Sequence, residues 1–207
     1  MVDPSLTLSG RGPELTDKQT LRRQLRDRRA EYVAALPDVT RALLFLRPPG
    51  PLEALLPAGS VVGLYHANRN EAPTLRYARW LHENGRQLAL PCFDNRDAPM
   101  AFRVWADPYE DNALLTGPYG IMQPGEDAPA VVPDVLIVPL IGFTAHGDRL
   151  GQGGGHYDRW LADHPSVPAI GLGWDCQLTE SLPVEAHDRP LRAVVTPTRY
   201  YEGRTDA

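Results

Sequence analysis

The sequence predicts an α/β fold: a single three-layer α/β/α domain, Rossmann-like, with a mostly parallel central sheet, an antiparallel edge and helices on both faces. Three observations predict it. Short, continuously apolar runs recur (SVVGLY at 60–65, QLALP at 87–91, VLIV at 135–138), as expected of strands buried on both faces. Helical patterns fall between apolar runs, so parallel strands have the crossovers they need. Residues 100–105 alternate in polarity, which suits an antiparallel or edge strand.

Residues 1–15 read as a disordered leader, and residues 16–207 as one domain. Thr16 or Asp17 is placed to cap a helix that runs to about Leu36 and stops at Pro37. Leu21, Leu25, Tyr32, Val33 and Leu36 form its apolar stripe. Lys18, Arg22, Arg26 and Arg29 share another face, and the distal arginines are expected to be solvated. A short helix fits Val39 to Leu46. Pro48, Pro49, Pro51 and Pro57 then impose a turn-rich connection, with room for one helical turn at Leu52 to Leu56. A strand at 60–65 leads through a loop to a helix from Thr74 to Asn84, stopped by Gly85. Strands follow at 87–91 and 100–105. Residues 107–133, rich in Pro and Gly, read as surface loops. Residues 135–138 form the most apolar and therefore central strand. A helix starts after the glycine run at 153–155, and strands at 169–172 and 193–195 complete the sheet.

Composition excludes several function classes. The formal net charge is −5, so a surface coating nucleic acid or anionic membrane is not expected. No run approaches the roughly 18 apolar residues of a membrane span. The polar start of the chain lacks the apolar segment of a signal peptide. Cys92 and Cys176 lie too far apart for a thiol-pair or zinc motif, and a reducing cytoplasm is the expected location. Of 21 basic residues, Lys18 is the only lysine. GC-rich coding accounts for the arginines. It leaves open whether Lys18 marks a place where guanidinium will not serve.

The chemistry concentrates after the central strand, in Arg149-Leu150-Gly151-Gln152-Gly153-Gly154-Gly155-His156-Tyr157-Asp158. Four glycines in five positions let backbone N–H groups converge at the start of a helix, where the helix dipole is positive. That is an anion cradle, with phosphate the usual anion, lying beyond the carboxyl end of a central strand. It is neither a P-loop, which needs Lys then Ser or Thr, nor a dinucleotide fingerprint, which needs Gly at 156. Arg149 suits phosphate oxygens. Asp158, one turn into the helix, suits phosphate-bound Mg²⁺.

This loop, R-L-G-x-G-G-G-x-Y-D-R, resembles the signature of the 5-formyltetrahydrofolate cyclo-ligase family. The resemblance runs through the chain after the leader. Lys18-x-x-Leu21-Arg22 matches the family's N-terminal K-x-x-L-R, and Asn70-Glu71-x-x-Thr74 its E-x-x-T segment. Met100-x-Phe102, the segment from Tyr119 to Pro124, and Asp134 to Pro139 follow in family order. So do Gly171, Gln177, Pro183 and His187-Asp188. Three positions depart from the pattern. Gln123 stands where Glu is usual, His156 where Tyr is usual, and Gly154 where many members carry Lys.

The resemblance implies ATP- and Mg²⁺-dependent conversion of 5-formyltetrahydrofolate to 5,10-methenyltetrahydrofolate. The formyl oxygen attacks the γ-phosphate, and ring closure then expels phosphate. It places Lys18 and Arg22 in the ATP site, with Arg149, Leu150, Gly151, Gln152, Gly153, Gly154, Gly155, His156 and Tyr157 around the phosphates. Gln152 to His156 would also meet the folate. Arg149 and Tyr157 would serve the reacting groups. Glu71, with His66 nearby, would bind the pterin, and Asp158 and Asp188 would hold Mg²⁺. The expected partners are folate and ATP, the expected state a monomer, with a dimer the alternative. Met100, Phe102 and Trp105 are candidate cleft walls, although an apolar strand face is more often core. His82, His146 and His164 read as surface residues. A non-catalytic folate- or nucleotide-binding paralogue is the competing reading. A sugar-phosphate isomerase or CoA-transferase-like enzyme is a third, by fold analogy alone.

Overall fold

In the computed structural model, residues 18–110, 114–185 and 188–204 are described. The expected leader, the capping residues Thr16 and Asp17, and His187 lie outside them. A seven-stranded sheet carries the architecture, in the order β11-β10-β9-β6-β1-β2-β3. These strands are β1 (Val61–Gly63), β2 (Gln87–Cys92), β3 (Ala101–Val104), β6 (Val135–Pro139), β9 (Ala169–Leu172), β10 (Ala193–Val195) and β11 (Tyr200–Glu202). The inner pairings are parallel, and both outer pairings, β2 with β3 and β10 with β11, are antiparallel. The sheet therefore has two antiparallel edges. The second, β11, escapes a reading of apolar runs because Tyr200–Glu202 is only three residues long and lacks a buried face.

Strand alternation sorts side chains into two cores. Val62, Leu88, Val135, Ile137 and Ile170 face one way and pack with α1 (Lys18–Ala35), through Val33, and α4 (Leu75–Glu83), through Tyr77, Ala78 and Leu81. Leu136, Val138, Ala169 and Val194 face the other way, against Trp160 and Leu161 of α5 (His156–Asp163). Helices thus cover both faces, as the apolar runs require. The short helix α2 (Asp38–Leu43) corresponds to the one expected at Val39 to Leu46, and α3 (Gly50–Glu53) to the turn expected in the Pro-rich connection, each slightly earlier than the sequence suggests. Pro49 precedes α3 with Pro51 in its first turn, where a missing N–H costs nothing.

The region 107–133 is not all loop. It contains an antiparallel hairpin of β4 (Leu114–Thr116) and β5 (Met122–Pro124). Three-residue strands around a Pro-Tyr-Gly turn are too short to show periodicity. Another small hairpin, β7 (Gly142–Phe143) with β8 (Arg149–Leu150), follows the central strand and delivers Arg149 to the glycine loop.

The topology fixes where a site forms. From β1 the chain crosses through α4 to β2 on one side. From β6 it crosses through α5 to β9 on the other. The order reverses between β1 and β6, and the crevice beyond their carboxyl ends is the place where such sheets take ligands.

Candidate active site

A cleft of about 730 Å³ opens at that switch point. Tyr65 and His66 reach it just after β1, Phe93 just after β2, and Pro139 at the end of β6. Every residue assigned to ATP, folate or Mg²⁺ from the sequence lines it: Lys18, Arg22, His66, Glu71, the whole run Arg149 to Asp158, and Asp188. Residues up to 170 positions apart are therefore brought to one cavity.

The glycine loop is shaped by its own backbone needs and held by arginines. Gly153 (φ 108) and Gly155 (φ 64) adopt left-handed conformations that a side chain would strain. Gly155 stands immediately before α5, so the loop runs into the positive end of that helix. Arg22 Nε donates to the Gly151 carbonyl at 3.0 Å, Arg26 Nη2 to the Gln152 carbonyl at 2.9 Å, and Arg159 Nη2 to the Gly154 carbonyl at 2.9 Å. The distal arginines of α1 are thus not a merely solvated face. Arg26 is exposed yet grips the loop, and Arg29 is buried with Nη1 3.4 Å from the Leu140 carbonyl. Burial lowers the Arg29 pKa, and the Glu71 carboxylate works against that shift. Four-residue spacing showed a shared face. It could not show that the face meets backbone carbonyls, which leave no mark on residue pattern.

Two cations of the cleft, Lys18 and Arg149, are ion-paired. Lys18 Nζ lies 2.9 Å from Asp188 Oδ2 and 3.0 Å from Glu185 Oε1. Burial opposes the ammonium, but the bonds to Asp188 and Glu185 prevail and raise its pKa. Arg149, its side chain 4% exposed, donates to Asp158 and lies 5.8 Å from the Tyr157 ring centroid. Burial, then the Glu71 charge, pushes the Tyr157 phenol well up, with Arg149 opposing. Tyr157 therefore stays protonated near neutral pH and acts as a hydrogen-bond donor or packing surface.

Glu71 and Gln152 join the two ends of the cleft. Gln152 Nε2 donates to Glu71 Oε1 at 2.9 Å, and the Asn68 N–H donates to Glu71 Oε2 at 3.0 Å. The turn carrying Glu71 is anchored by Trp174, whose Nε1–H donates to the Asn70 carbonyl at 3.0 Å.

A second wall is aromatic. Phe93, Tyr119 and His156 surround one another with ring centroids 4.9–5.1 Å apart. Phe93 carries no signal in the sequence, and Tyr119 enters there only as the start of a family-matching segment, with no site role. Single aromatics in loops carry no spacing signal. Gln123 holds Phe93 at both ends of its peptide unit, accepting from its N–H and donating to its carbonyl, each at 3.1 Å. A carboxylate at 123 could only accept, so the amide is the better partner here. Two of the sequence departures also fit each other: a Cβ at Gly154 would lie 2.8–2.9 Å from the His156 ring. Met100 joins the cleft wall, while Phe102 and Trp105 are buried core. His82 and His146 are exposed, but His164 is half-buried and stacks on Trp160 at 3.9 Å.

His156 provides a pH handle. Its Nδ1 lies 3.1 Å from Arg159 Nη2, and guanidinium only donates, so Nδ1 accepts from a neutral ring. Burial first, and Arg159 second, lower its pKa below 6.5. The stabilisation is complete above about pH 6.5 and is lost as pH falls through the folded-state pKa. Thermal melts from pH 7.5 to 5.5 are expected to show wild type losing about 0.5–1.5 kcal/mol relative to His156→Tyr, the worth of one hydrogen bond. Parallel losses in the two proteins would remove His156 as the titrating group.

Among the described residues no three or more His, Cys, Asp or Glu side chains converge as a metal cage. Asp158 and Asp188 nonetheless share the cleft. Mg²⁺ is commonly held by one or two carboxylates with phosphate oxygens and water completing the shell. The pair therefore fits an ion that arrives with a nucleotide.

Known proteins agree with this architecture. The sequence profile of the 5-formyltetrahydrofolate cyclo-ligase family matches residues 14–197. The chain belongs to this family. The 5-formyltetrahydrofolate cyclo-ligase of Escherichia coli (strain K12) is 49% identical over 100 residues, 45% of this chain and 55% of that protein. That match spans only about half of the relative's length. The Mycolicibacterium smegmatis protein of the same name is 30% identical over 159 residues, 72% of this chain and 80% of that one. Two solved 5,10-methenyltetrahydrofolate synthetases share the fold. That of Aquifex aeolicus has a TM-score of 0.62 at 22% identity, covering 92% of this chain and 94% of its own. That of Mycoplasma pneumoniae has a TM-score of 0.61 at 23% identity, covering 86% and 98%.

Proposed function

We propose that this cyclo-ligase family member converts 5-formyltetrahydrofolate to 5,10-methenyltetrahydrofolate at the expense of ATP, releasing ADP and phosphate. The observation that carries the reading is the joining of a cation-rich glycine loop to Glu71, through Gln152, within one cleft. The loop and its cations suit a triphosphate, and a buried carboxylate suits the N–H donors of a pterin.

On this reading Lys18, Arg22 and the run Arg149 to Tyr157 bind ATP. Glu71 and His66, with the aromatic wall of Phe93, Tyr119 and His156, bind the folate. The formyl oxygen forms a bond to the γ-phosphorus as the bond to ADP breaks. The nitrogen at folate position 10 then closes on the activated carbon and gives up its proton to solvent, and phosphate leaves. Little covalent work falls to side chains, so alignment and charge stabilisation supply most of the rate. Arg149 spreads the charge of the transferred phosphoryl group, and the protonated Tyr157 steadies the reacting oxygen. Asp158 and Asp188 would hold Mg²⁺, which neutralises phosphate charge when bound. Lys18 and Arg149 then exchange their carboxylate partners for phosphate oxygens.

Since residues from Lys18 to Asp188 line one cleft, residues 16–207 would act as a single unit. No helix among the described residues is long and apolar enough to cross a membrane. A cytoplasmic protein whose partners are these small molecules, a monomer with a dimer as the alternative, fits this account.

Steady-state kinetics test the two halves of the cleft. Lys18→Ala is expected to raise KM for ATP by about tenfold or more, and KM for the folate by less than about threefold, since one charge-assisted contact is worth about 1.5–3 kcal/mol. Glu71→Ala is expected to do the reverse. Equal effects of either substitution on both constants would contradict the assignment. Full activity in Lys18→Arg would show that the ammonium is not required there.

A further inference from the structure

We propose that Gln152 is a positioning residue that couples the two halves of the cleft, so that phosphate binding at the glycine loop and ring capture at Glu71 strengthen each other. This rests on the two-ligand reading above. It adds a function for Gln152 and Arg26 that contact with either ligand does not supply.

The geometry leaves the Gln152 amide one orientation. Arg26 Nη2 lies 3.3 Å from Gln152 Oε1, and guanidinium only donates. Glu71 Oε1 lies 2.9 Å from Gln152 Nε2, and a carboxylate only accepts. The amide therefore relays a donor-to-acceptor chain from α1 to Glu71. The same Arg26 nitrogen holds the Gln152 carbonyl at 2.9 Å, so one guanidinium fixes backbone and side chain together. Gln152 sits between Gly151, whose carbonyl is tied to Arg22, and Gly153, which needs φ 108. A loop that shifts to wrap a phosphate must carry the amide with it, and Glu71 follows. The second Glu71 oxygen is fixed by the Asn68 N–H, so the carboxylate has little freedom to turn away.

A neutral amide suits this point because it accepts from Arg26 and donates to Glu71 at once. Glu would set two carboxylates against each other, and Leu would leave the Glu71 oxygen without its donor. The Arg26 end is exposed, where one hydrogen bond adds little to fold stability. A weak link at that end suits a contact that is remade when ligands arrive, since coupling needs two arrangements close in free energy. By linkage the coupling is reciprocal: each ligand tightens the other by the same factor.

Calorimetric titration with the magnesium complex of a non-hydrolysable ATP analogue, with and without saturating 5-formyltetrahydrofolate, reads the coupling directly. In the wild type, the folate is expected to tighten nucleotide binding about five- to tenfold, within the usual allosteric range. In Gln152→Ala, that ratio, taken within the one protein and so independent of any change in its Kd for nucleotide alone, is expected to fall to within about twofold of unity. Arg26→Gln, at an exposed position, tests the same chain without risk to the core and is expected to give an intermediate ratio. A ratio that survives in both variants, or a wild type with no coupling, would overturn the proposal while leaving the two-site reading intact. A wild type that binds neither ligand would overturn both.

Discussion

Replacing Arg149 by alanine is expected to lower kcat/KM for cyclisation by about a thousandfold or more, the range for an arginine that stabilises a transferring phosphoryl group. Three observations set the size. The side chain is 4% exposed, so its charge acts at low dielectric. It is held from both sides, by the Asp158 carboxylate and by the Tyr157 ring. It also leaves a two-residue strand directly into the glycine loop, so its position is fixed by backbone pairing with Phe143. Stability should suffer less. Asp158 retains 20% exposure and is left without its partner, a loss of about 1–3 kcal/mol. Arg149→Lys keeps the charge but not the fork and is expected to recover only part of the rate. Activity within about tenfold of wild type in a folded Arg149→Ala protein would remove Arg149 from the chemistry.

The largest stability effect is expected at Trp174. Its side chain is 1% exposed and lies against Tyr32 and Phe45, with centroids 5.9 and 5.5 Å away. Trp174→Ala should cost about 3–5 kcal/mol by cavity formation. For a chain of this size, that lowers Tm by roughly 6–20 °C. Trp174→Phe separates packing from polarity. It keeps a ring but loses the Nε1–H bond to the Asn70 carbonyl, one residue before Glu71. About 1 kcal/mol of stability and a rise in folate KM alone are expected. A rise in ATP KM of the same size would show that the Asn70 contact supports the whole cleft.

Much of this arrangement is legible in the sequence because burial on both faces leaves a strong pattern. Residues 135–138, 169–172 and 193–195 are apolar without a break, and each is a strand of the parallel sheet. The glycine loop is legible for a different reason: backbone that must approach an anion and adopt positive φ excludes most side chains. Features made from backbone partners are not legible. Arg26 reads as a solvated surface cation, and Arg22 as a phosphate contact through the resemblance alone, yet Arg22, Arg26 and Arg159 are each bonded to a loop carbonyl. Gln177 matched a family position, but nothing in its neighbours shows that it would be 1% exposed, with Nε2 donating to the Leu140 and Ile141 carbonyls beyond the central strand. The aromatic wall was equally hidden. Phe93, Tyr119 and His156 come from three separate segments, and only the tertiary fold makes them neighbours.

The central claim is that one cleft passes phosphate from ATP to the formyl oxygen of the folate. Absorbance of the methenyl product, followed with purified protein, 5-formyltetrahydrofolate, ATP and Mg²⁺, tests it most directly. The account predicts methenyltetrahydrofolate appearing in step with ADP, and none when ATP is omitted. Folded protein that binds both ligands and forms no product would contradict it, and would assign the chain instead to a binding paralogue on the same fold.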